Sequence, residues 1–269
     1  MKSFLFPLMI CLAGPSFAQE LFVYSDPASN IPAKALSVRL TNNIMRMEKS
    51  EKYRFASSPE VMIGISKNLM LKADAVFSNM QGDFKMNTAG FYAKYRFFSN
   101  DEVHNHLRMA AFVRGSVSSL HVHQPAIDLD MMNSGFETGL IFTKLVKRTA
   151  VSASVSHLYA ADNSNGNKFE YGSNQRHALN YTLSFGRLML PKEYSSYDQT
   201  NVNLMLEIPV QTNLGTGNTF VDLAPSLQFI IRSRVRVDLG YRFAVLNDLA
   251  RTSEGGALVR LEYNFFNAF

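Results

Sequence analysis

The sequence has a single cysteine and no tryptophan. Cys11 sits in an amino-terminal stretch with one early positive charge, Lys2, an apolar run from Phe4 to Ala13, and small residues at Ser16 and Ala18 ahead of Gln19. That pattern reads as a cleaved secretory signal peptide over residues 1–18, too short to span a bilayer. Leu12, not a small residue, follows Cys11, which argues against lipoprotein processing. The mature chain then has no cysteine, so disulfide scaffolds, thiolate metal sites and cysteine nucleophiles are excluded together. Long hydrophobic runs are also missing. No later stretch approaches ~18 consecutive apolar residues, which excludes helical membrane spans. Charge of one sign is lacking as well: with Lys2 removed, 26 basic residues face 22 acidic ones. They are interspersed along the chain and form no basic face or tail, so no nucleic-acid partner is expected.

What the chain does have is alternation. Hydrophobic residues make up 46% of it without forming a block, so they must be hidden at every second position of extended segments. After an irregular lead-in rich in Pro, Asp and Asn (residues 19–33), such segments recur. The first covers about residues 34–48, with Leu36, Val38 and Leu40 alternating with polar residues. Others carry Val61, Ile63 and Ile65; Leu69 to Phe77; Ala89 to Phe97; Leu107 to Val113; Phe136 to Phe142; Val151 to Val155; Leu179 to Phe185; Val202 to Val210; Val221 to Phe229; and Val235 to Phe243. The last segment sets Val259, Leu261, Tyr263 and Phe265 on one face and Arg260, Glu262 and Asn264 on the other. The count is twelve, each about the ~9 to 11 residues of a tilted transmembrane strand. Links at Lys67-Asn68, 146–148 and 232–234 are very short, whereas 79–87, 117–132, 160–175 and 246–255 are longer. Short turns at one end and long loops at the other suit a barrel. Residues 98–106 and 190–200 are long for the short end, and each reads as a strand extension or a small structured element.

The closing segment runs on to a terminal aromatic, Phe269. In this it resembles the last strand of Gram-negative outer-membrane β-barrels, which the insertion machinery reads as an assembly signal. The segments Tyr95-Arg96-Phe97-Phe98-Ser99-Asn100-Asp101, Leu188-Met189-Leu190-Pro191-Lys192-Glu193-Tyr194 and Ala224-Pro225-Ser226-Leu227-Gln228-Phe229-Ile230-Ile231 resemble those of an uncharacterised Bacteroidetes-type outer-membrane barrel family, transporter- or porin-like in plan. The plan is also similar to small channel-type transporters for hydrophobic or aromatic compounds. The resemblance implies an all-β fold, a closed antiparallel transmembrane barrel of about twelve strands over residues 34–269. Its implied partners are outer-membrane lipid, the barrel-insertion machinery and a small solute. A soluble β-sandwich would also hide one face of each strand, but it would not explain the terminal Phe or the loop asymmetry. Pro225 falls inside a strand on the apolar parity, where a bulge is the expected accommodation. Without Trp, the interfacial girdles must be Tyr and Phe, with Tyr95, Phe97, Phe243, Phe265 and Phe269 at strand ends.

The polar parity predicts the lumen. It carries basic Arg39, Lys72, Lys94, Arg96, Arg108, Arg114, Arg236, Arg242 and Arg260, and acidic Glu60, Asp74, Glu137, Glu207, Asp222, Asp238 and Glu262. Lys72/Asp74, Arg236/Asp238 and Arg260/Glu262 stand two apart on one strand and are expected to neutralise one another; a solute-selecting constriction is the alternative. No cofactor and no metal are expected. His104/His106 and His121/His123 each put two imidazoles on one side of an extended segment, but neither pair has a third ligand beside it in sequence, and the pairs belong at opposite ends of the barrel. No catalysis is expected either. Outer-membrane phospholipase A is similar in size and strand number and uses a His-x-Ser pair, which does not occur here; no His follows an Asp, as omptin proteases require. Ser154, Ser156 and His157 are the nearest candidates for a pair formed by folding.

The reading is an outer-membrane channel or transporter for a small solute. The runner-up is a structural or surface-interaction barrel with a plugged lumen, the lead-in being either a periplasmic segment or the plug. Deleting Phe269 is expected to lower the amount of barrel in the outer membrane and leave protease-sensitive periplasmic chain, measured by fractionation and protease shaving.

Overall fold

The structure is a computed structural model that describes residues 22–47, 52–102, 105–193 and 198–269. The signal peptide expected over residues 1–18 lies outside the described residues. Twelve strands form one closed antiparallel barrel: β1 (Leu36–Met47), β2 (Tyr53–Gly64), β3 (Leu69–Ser78), β4 (Lys85–Glu102), β5 (Asn105–Ser118), β6 (Gly135–Val146), β7 (Thr149–Ala160), β8 (His177–Leu190), β9 (Asn201–Asn213), β10 (Thr219–Ile231), β11 (Val235–Asn247) and β12 (Ser253–Phe265). Each strand pairs with its sequence neighbours, and β1 pairs with β12 to close the ring. A short 3-10 turn, Ser173–Gln175, precedes β8.

Closure is what allows the apolar parity to face outward. Val38, Leu40, Phe91, Leu140, Val155, Leu183, Leu204, Leu239 and Leu261 are all exposed on the outer wall, a belt that water would not tolerate. Hydrocarbon tolerates it, because no backbone donor or acceptor is left over at a sheet edge. The opposite parity is buried and polar, with Arg39, Glu60, Lys72, Lys94, Glu207, Asp222, Arg236, Asp238 and Glu262 pointing into the barrel. Tyr95, Phe97, Phe243, Phe265 and Phe269 are exposed; Phe265 ends β12 and Phe269 lies beyond it, but Phe243 stands inside β11 and Tyr95 and Phe97 inside β4, because β4 runs on to Glu102.

The links are short at the end that holds both described termini. At 146–149 the hairpin turns through Lys147 at φ 55°, and at 231–235 both Arg232 and Ser233 take positive φ (50° and 56°). Two consecutive left-handed residues give the tight turn whose twist matches antiparallel strands. Residues 98–102 extend β4 and 105–107 begin β5, so the described part of the first awkwardly long link is strand. Between β8 and β9 the connection stays long, including residues outside the described set.

Pro225 corrects the expectation of a bulge. Leu223 faces Phe243 and Ser226 faces Gly240, the same register on both sides of the proline. The ladder to β11 skips Ala224 and Pro225 without shifting, so the missing N–H is accommodated by a local gap. The bulge in this pair lies earlier, between Val221 and Asp222.

Arg substituted at Leu71, Leu140, Leu204 or Leu239 is expected to cost about 2 to 4 kcal/mol of folding stability in lipid, while Arg at lumen-facing Thr182 is tolerated. Ser226, which the same parity makes lumen-facing, is buried to 4% exposure; it has no space for Arg and is expected to behave like the outer-wall positions. Denaturant unfolding in vesicles reads both effects.

Candidate functional site

The barrel interior is organised by two chain segments that enter it, one from each end. Residues 22–32 run inside the short-turn end. Phe22, Val23, Ala28, Ser29 and Ile31 are buried, and the wall binds the segment's backbone at many points. Glu207 Oε1 accepts from Val23 N and Tyr24 N, both at 2.8 Å, and Glu207 Oε2 accepts from Ser25 Oγ at 2.6 Å. Arg236 donates to Phe22 O (2.6 Å), Arg260 to Val23 O (2.6 Å), and Lys94 Nζ to both Pro27 O (2.6 Å) and Ser29 O (2.8 Å). Thr143 Oγ1 accepts from Ala28 N (2.9 Å), and Arg108 donates to Ser29 Oγ (2.8 Å). Most of these bonds carry a charge on one partner, the stronger class. The wall is also shaped for the segment. A Cβ on Gly240 would lie 2.7 Å from Tyr24 Oη, and one on Gly186 3.3 Å from the Phe22 ring.

From the opposite end the long connection 119–134 folds inward. Leu120, Val122, Ala126, Ile127, Leu129 and Met132 are buried. Gln211 on β9 makes a reciprocal pair with the Ile127 backbone, accepting from its N–H and donating to its C=O at 2.8 Å each. Gln124 Oε1 accepts from Thr252 N (2.5 Å), Thr88 Oγ1 donates to Met131 O (2.6 Å), and Ser116 Oγ donates to Asn133 O (2.7 Å). Asp128 Oδ1 accepts from the N–H groups of Asp130 and Met131 (3.0 Å each), which closes a compact turn at the loop's innermost point. Burial raises the Asp128 carboxyl above the ordinary carboxylate range, opposed by Arg242. Arg114 on β5 pairs with Asp130.

Between these two blocks lies a cavity of about 350 Å³. Tyr24, Ser25 and Asp26 line it from one side and Gln124 and residues 126–132 from the other; Asp74, Arg114, Glu137, Asn180, Thr182, Arg242 and Arg260 belong to its wall. Asp26 lies within electrostatic reach of Lys72, Lys94, Arg39 and Arg114. Glu137 Oε1 accepts from Ser156 Oγ at 2.5 Å.

Eleven of the sixteen predicted lumen charges fall into four groups, while Asp74, Arg114, Glu137 and Arg260 border the cavity and Asp238 pairs with Arg236. Glu60, Arg39, Glu262 and Arg236 form one lateral row across β2, β1, β12 and β11, each facing the next directly. Arg39 reaches Glu262 at 2.9 Å and Glu60 at 3.5 Å, Arg236 reaches Glu262 at 3.5 Å, and Lys72 joins Glu60 at 3.3 Å. Lys94, Arg108 and Glu207 bind the entering segment. Asp222 gathers Arg242 (2.7 Å) and Arg251. Arg96 stands apart at the short-turn rim, donating to Lys67 O at 2.7 Å.

The expected same-strand neutralisation holds for Arg236/Asp238 at 2.7 Å. It fails for the other two pairs: Lys72 pairs with Glu60 across strands, Glu262 with Arg39 and Arg236, and Arg260 with Asp238 at 3.7 Å. Neighbours two apart on a strand are separated by about 6.6 Å of rise, whereas residues directly opposite across strands have Cβ atoms about 4.5 to 5.5 Å apart.

The catalytic candidates are split by the wall. Ser154 and Ser156 share the inward parity of β7, and Ser156 is buried against Glu137. His157 faces outward and meets His177 at 3.1 Å. Of the histidine pairs, His104 lies outside the described residues, and His106 contacts Asp101 at 2.9 Å near the short-turn end. His121 and His123 lie at the other end, where Glu170 from the β7–β8 connection contacts His121 Nε2 and His123 Nδ1, both at 3.0 Å. The third ligand type missing from the local sequence is thus supplied from 47 residues away.

No family profile and no curated relative matches the sequence. Solved structures do match in shape. An outer membrane channel from Pseudomonas putida F1 aligns with a TM-score of 0.59 at 11% identity, covering 90% of this chain and 100% of that one. The KdgM porin (0.51, 9% identity, 85% and 99% covered) and the NanC porin (0.51, 10% identity, 85% and 98% covered) align similarly. The fold is that of outer-membrane porins and channels. At this level of identity the likeness is one of fold, and the residues inside this porin-type barrel are its own.

Sequence reasoning missed Gln211, Gln124, Asn133 and Arg251. All four act where a connection folds back on the wall, which strand parity does not describe. The available signal was the continued alternation beyond β5, Leu120 and Val122 against His121 and His123.

Arg39→Leu is expected to lower barrel stability by roughly 3 to 5 kcal/mol, because Glu60 and Glu262 would remain buried with one cation fewer. Urea unfolding in vesicles checks it, with Asn180→Ala on the cavity wall as a comparison that stays within about 1 kcal/mol.

Proposed function

We propose that the chain is an outer-membrane channel or transporter that passes a small polar solute and is shut in the state described above. The observation that carries this reading is the cavity between the two blocks. A barrel of this size can be filled with side chains when only scaffolding is required. Here the centre instead keeps a space in the size range of small-molecule pockets, about 300 to 1,000 Å³. Its lining carries both signs of charge, including Asp26, Asp74, Arg114, Glu137, Arg242 and Arg260. A porin-type fold and an outer wall suited to hydrocarbon support a place in the outer membrane and a role in passage. In this reading residues 22–32 are the inner plug, 119–134 the outer cap, and the lumen charges position the solute without catalysis.

The second reading, a structural or surface-interaction barrel whose plug never leaves, is favoured by one observation. The plug is bound by side chains from seven strands, β4, β5, β6, β8, β9, β11 and β12.

The two part in planar bilayers. Removing residues 20–31 while keeping the signal peptide and cleavage site, alone and together with a shortened 121–131 loop, is expected to give discrete conductance steps, larger in the double deletion. Heat-modifiable migration confirms that each variant is a folded barrel. A folded, inserted double deletion that stays silent would reject the channel and leave the structural reading.

A further inference from the structure

We propose that His121, His123 and Glu170 form a divalent transition-metal site at the outer mouth, with Zn²⁺ as the ion the donors fit. Two imidazole nitrogens and a carboxylate lie with their donor atoms all within 4.8 Å of one another. Each histidine nitrogen already sits 3.0 Å from a different Glu170 oxygen, and the two rings are 4.3 Å apart between centroids. Ligands at about 2.0 to 2.2 Å from a tetrahedral zinc stand a little over 3 Å from one another, so small side-chain rotations bring all three onto one ion. Two nitrogens and one oxygen suit zinc, nickel or copper and not the oxygen-seeking calcium or magnesium. The fourth position is open to water.

The site is supported from beneath. His121 and His123 alternate with Leu120, Val122 and Gln124, all buried, so the backbone is anchored while both imidazoles project the same way. Glu170 follows Phe169, which is buried in one cluster with Ile127 and Leu129 of the cap. Phe169 N donates to Asp162 Oδ1 at 3.0 Å, and Arg176 both pairs with Asp162 and lies over the Phe169 ring at 5.3 Å. Those two bonds, first the Arg176 side chain and then the Phe169 N–H, hold the Asp162 carboxyl below its ordinary range. The three ligand side chains themselves are accessible, at 40%, 68% and 42% exposure, so an ion reaches them without local unfolding. Because two ligands belong to the cap and the third to the β7–β8 connection, an ion bound there ties the cap to its neighbour. This inference is independent of whether the lumen conducts.

Isothermal titration of the untagged full-length protein in detergent with ZnCl₂ tests it. Saturable binding of one ion per chain is expected, weakened more than ~10-fold in His121→Ala, His123→Ala and Glu170→Gln, since losing a ligand costs at least what losing a supporting hydrogen bond costs. His106→Ala, at the far end, binds like the parent. Zn²⁺ is also expected to slow amide exchange over 119–124 and 167–171 in the parent but not in the Glu170→Gln variant. Absence of saturable binding, equal binding of Ca²⁺, or unchanged affinity in the three variants would each overturn the site.

Discussion

Backbone pairing without water is the constraint on which the structure depends. In hydrocarbon each N–H and C=O needs a partner within the protein, and a sheet meets that need only when its first and last strands pair. The β1–β12 ladder, from Leu36 opposite Phe265 to Met47 opposite Ser253, supplies that closure. Once the ring is closed, side-chain parity has only two destinations. The apolar parity of the strands goes to the outer face, and Arg39, Glu60, Arg236 and Glu262, with inward apolar residues such as Ile141, Met205 and Leu258, have nowhere to go but inward.

An inward charge in a narrow barrel is costly unless it is paired. The row Glu60–Arg39–Glu262–Arg236 solves this by alternating sign across neighbouring strands, an arrangement the register makes available because directly opposed residues lie closest. Several lumen charges, Arg236 of that row among them, also bind backbone. Lys94, Arg236 and Arg260 donate to carbonyls of the entering segment and Glu207 accepts its N–H groups, so an irregular stretch with no ladder of its own has its polar groups satisfied. Residues 22–32 are therefore compatible with the lumen because the lumen is charged.

The same logic applies at the long-loop end with mostly neutral groups. The 119–134 connection satisfies its backbone through Gln211, Thr88 and Ser116 and through its own Gln124, which donates to Ala126 O, while Ile127, Leu129 and Phe169 form a small apolar cluster with the barrel rim. The two blocks differ in kind: residues 22–32 are bound mainly by charge-assisted bonds, residues 119–134 mainly by amide and hydroxyl bonds with apolar packing, the Arg114–Asp130 pair apart.

The sequence by itself determined the barrel. A period of two is a local property, and twelve apolar faces with short and long links in alternation are readable one strand at a time. It also determined which residues share the inward parity, from Arg39 to Glu262, and that Ser226 and Thr182 share it. What parity does not carry is distance across strands or the path of a connection. Only the tertiary structure decided that Lys72 meets Glu60 and not Asp74, that Pro225 needs a gap and not a bulge, and that Ser226 is packed while Thr182 borders a cavity. Only the tertiary structure brought Glu170 to His121 and His123, and residues 22–32 to Glu207. Each of these depends on register or on long-range contact, where the partner lies tens to nearly two hundred residues away, and alternation along a single strand contains no information about it.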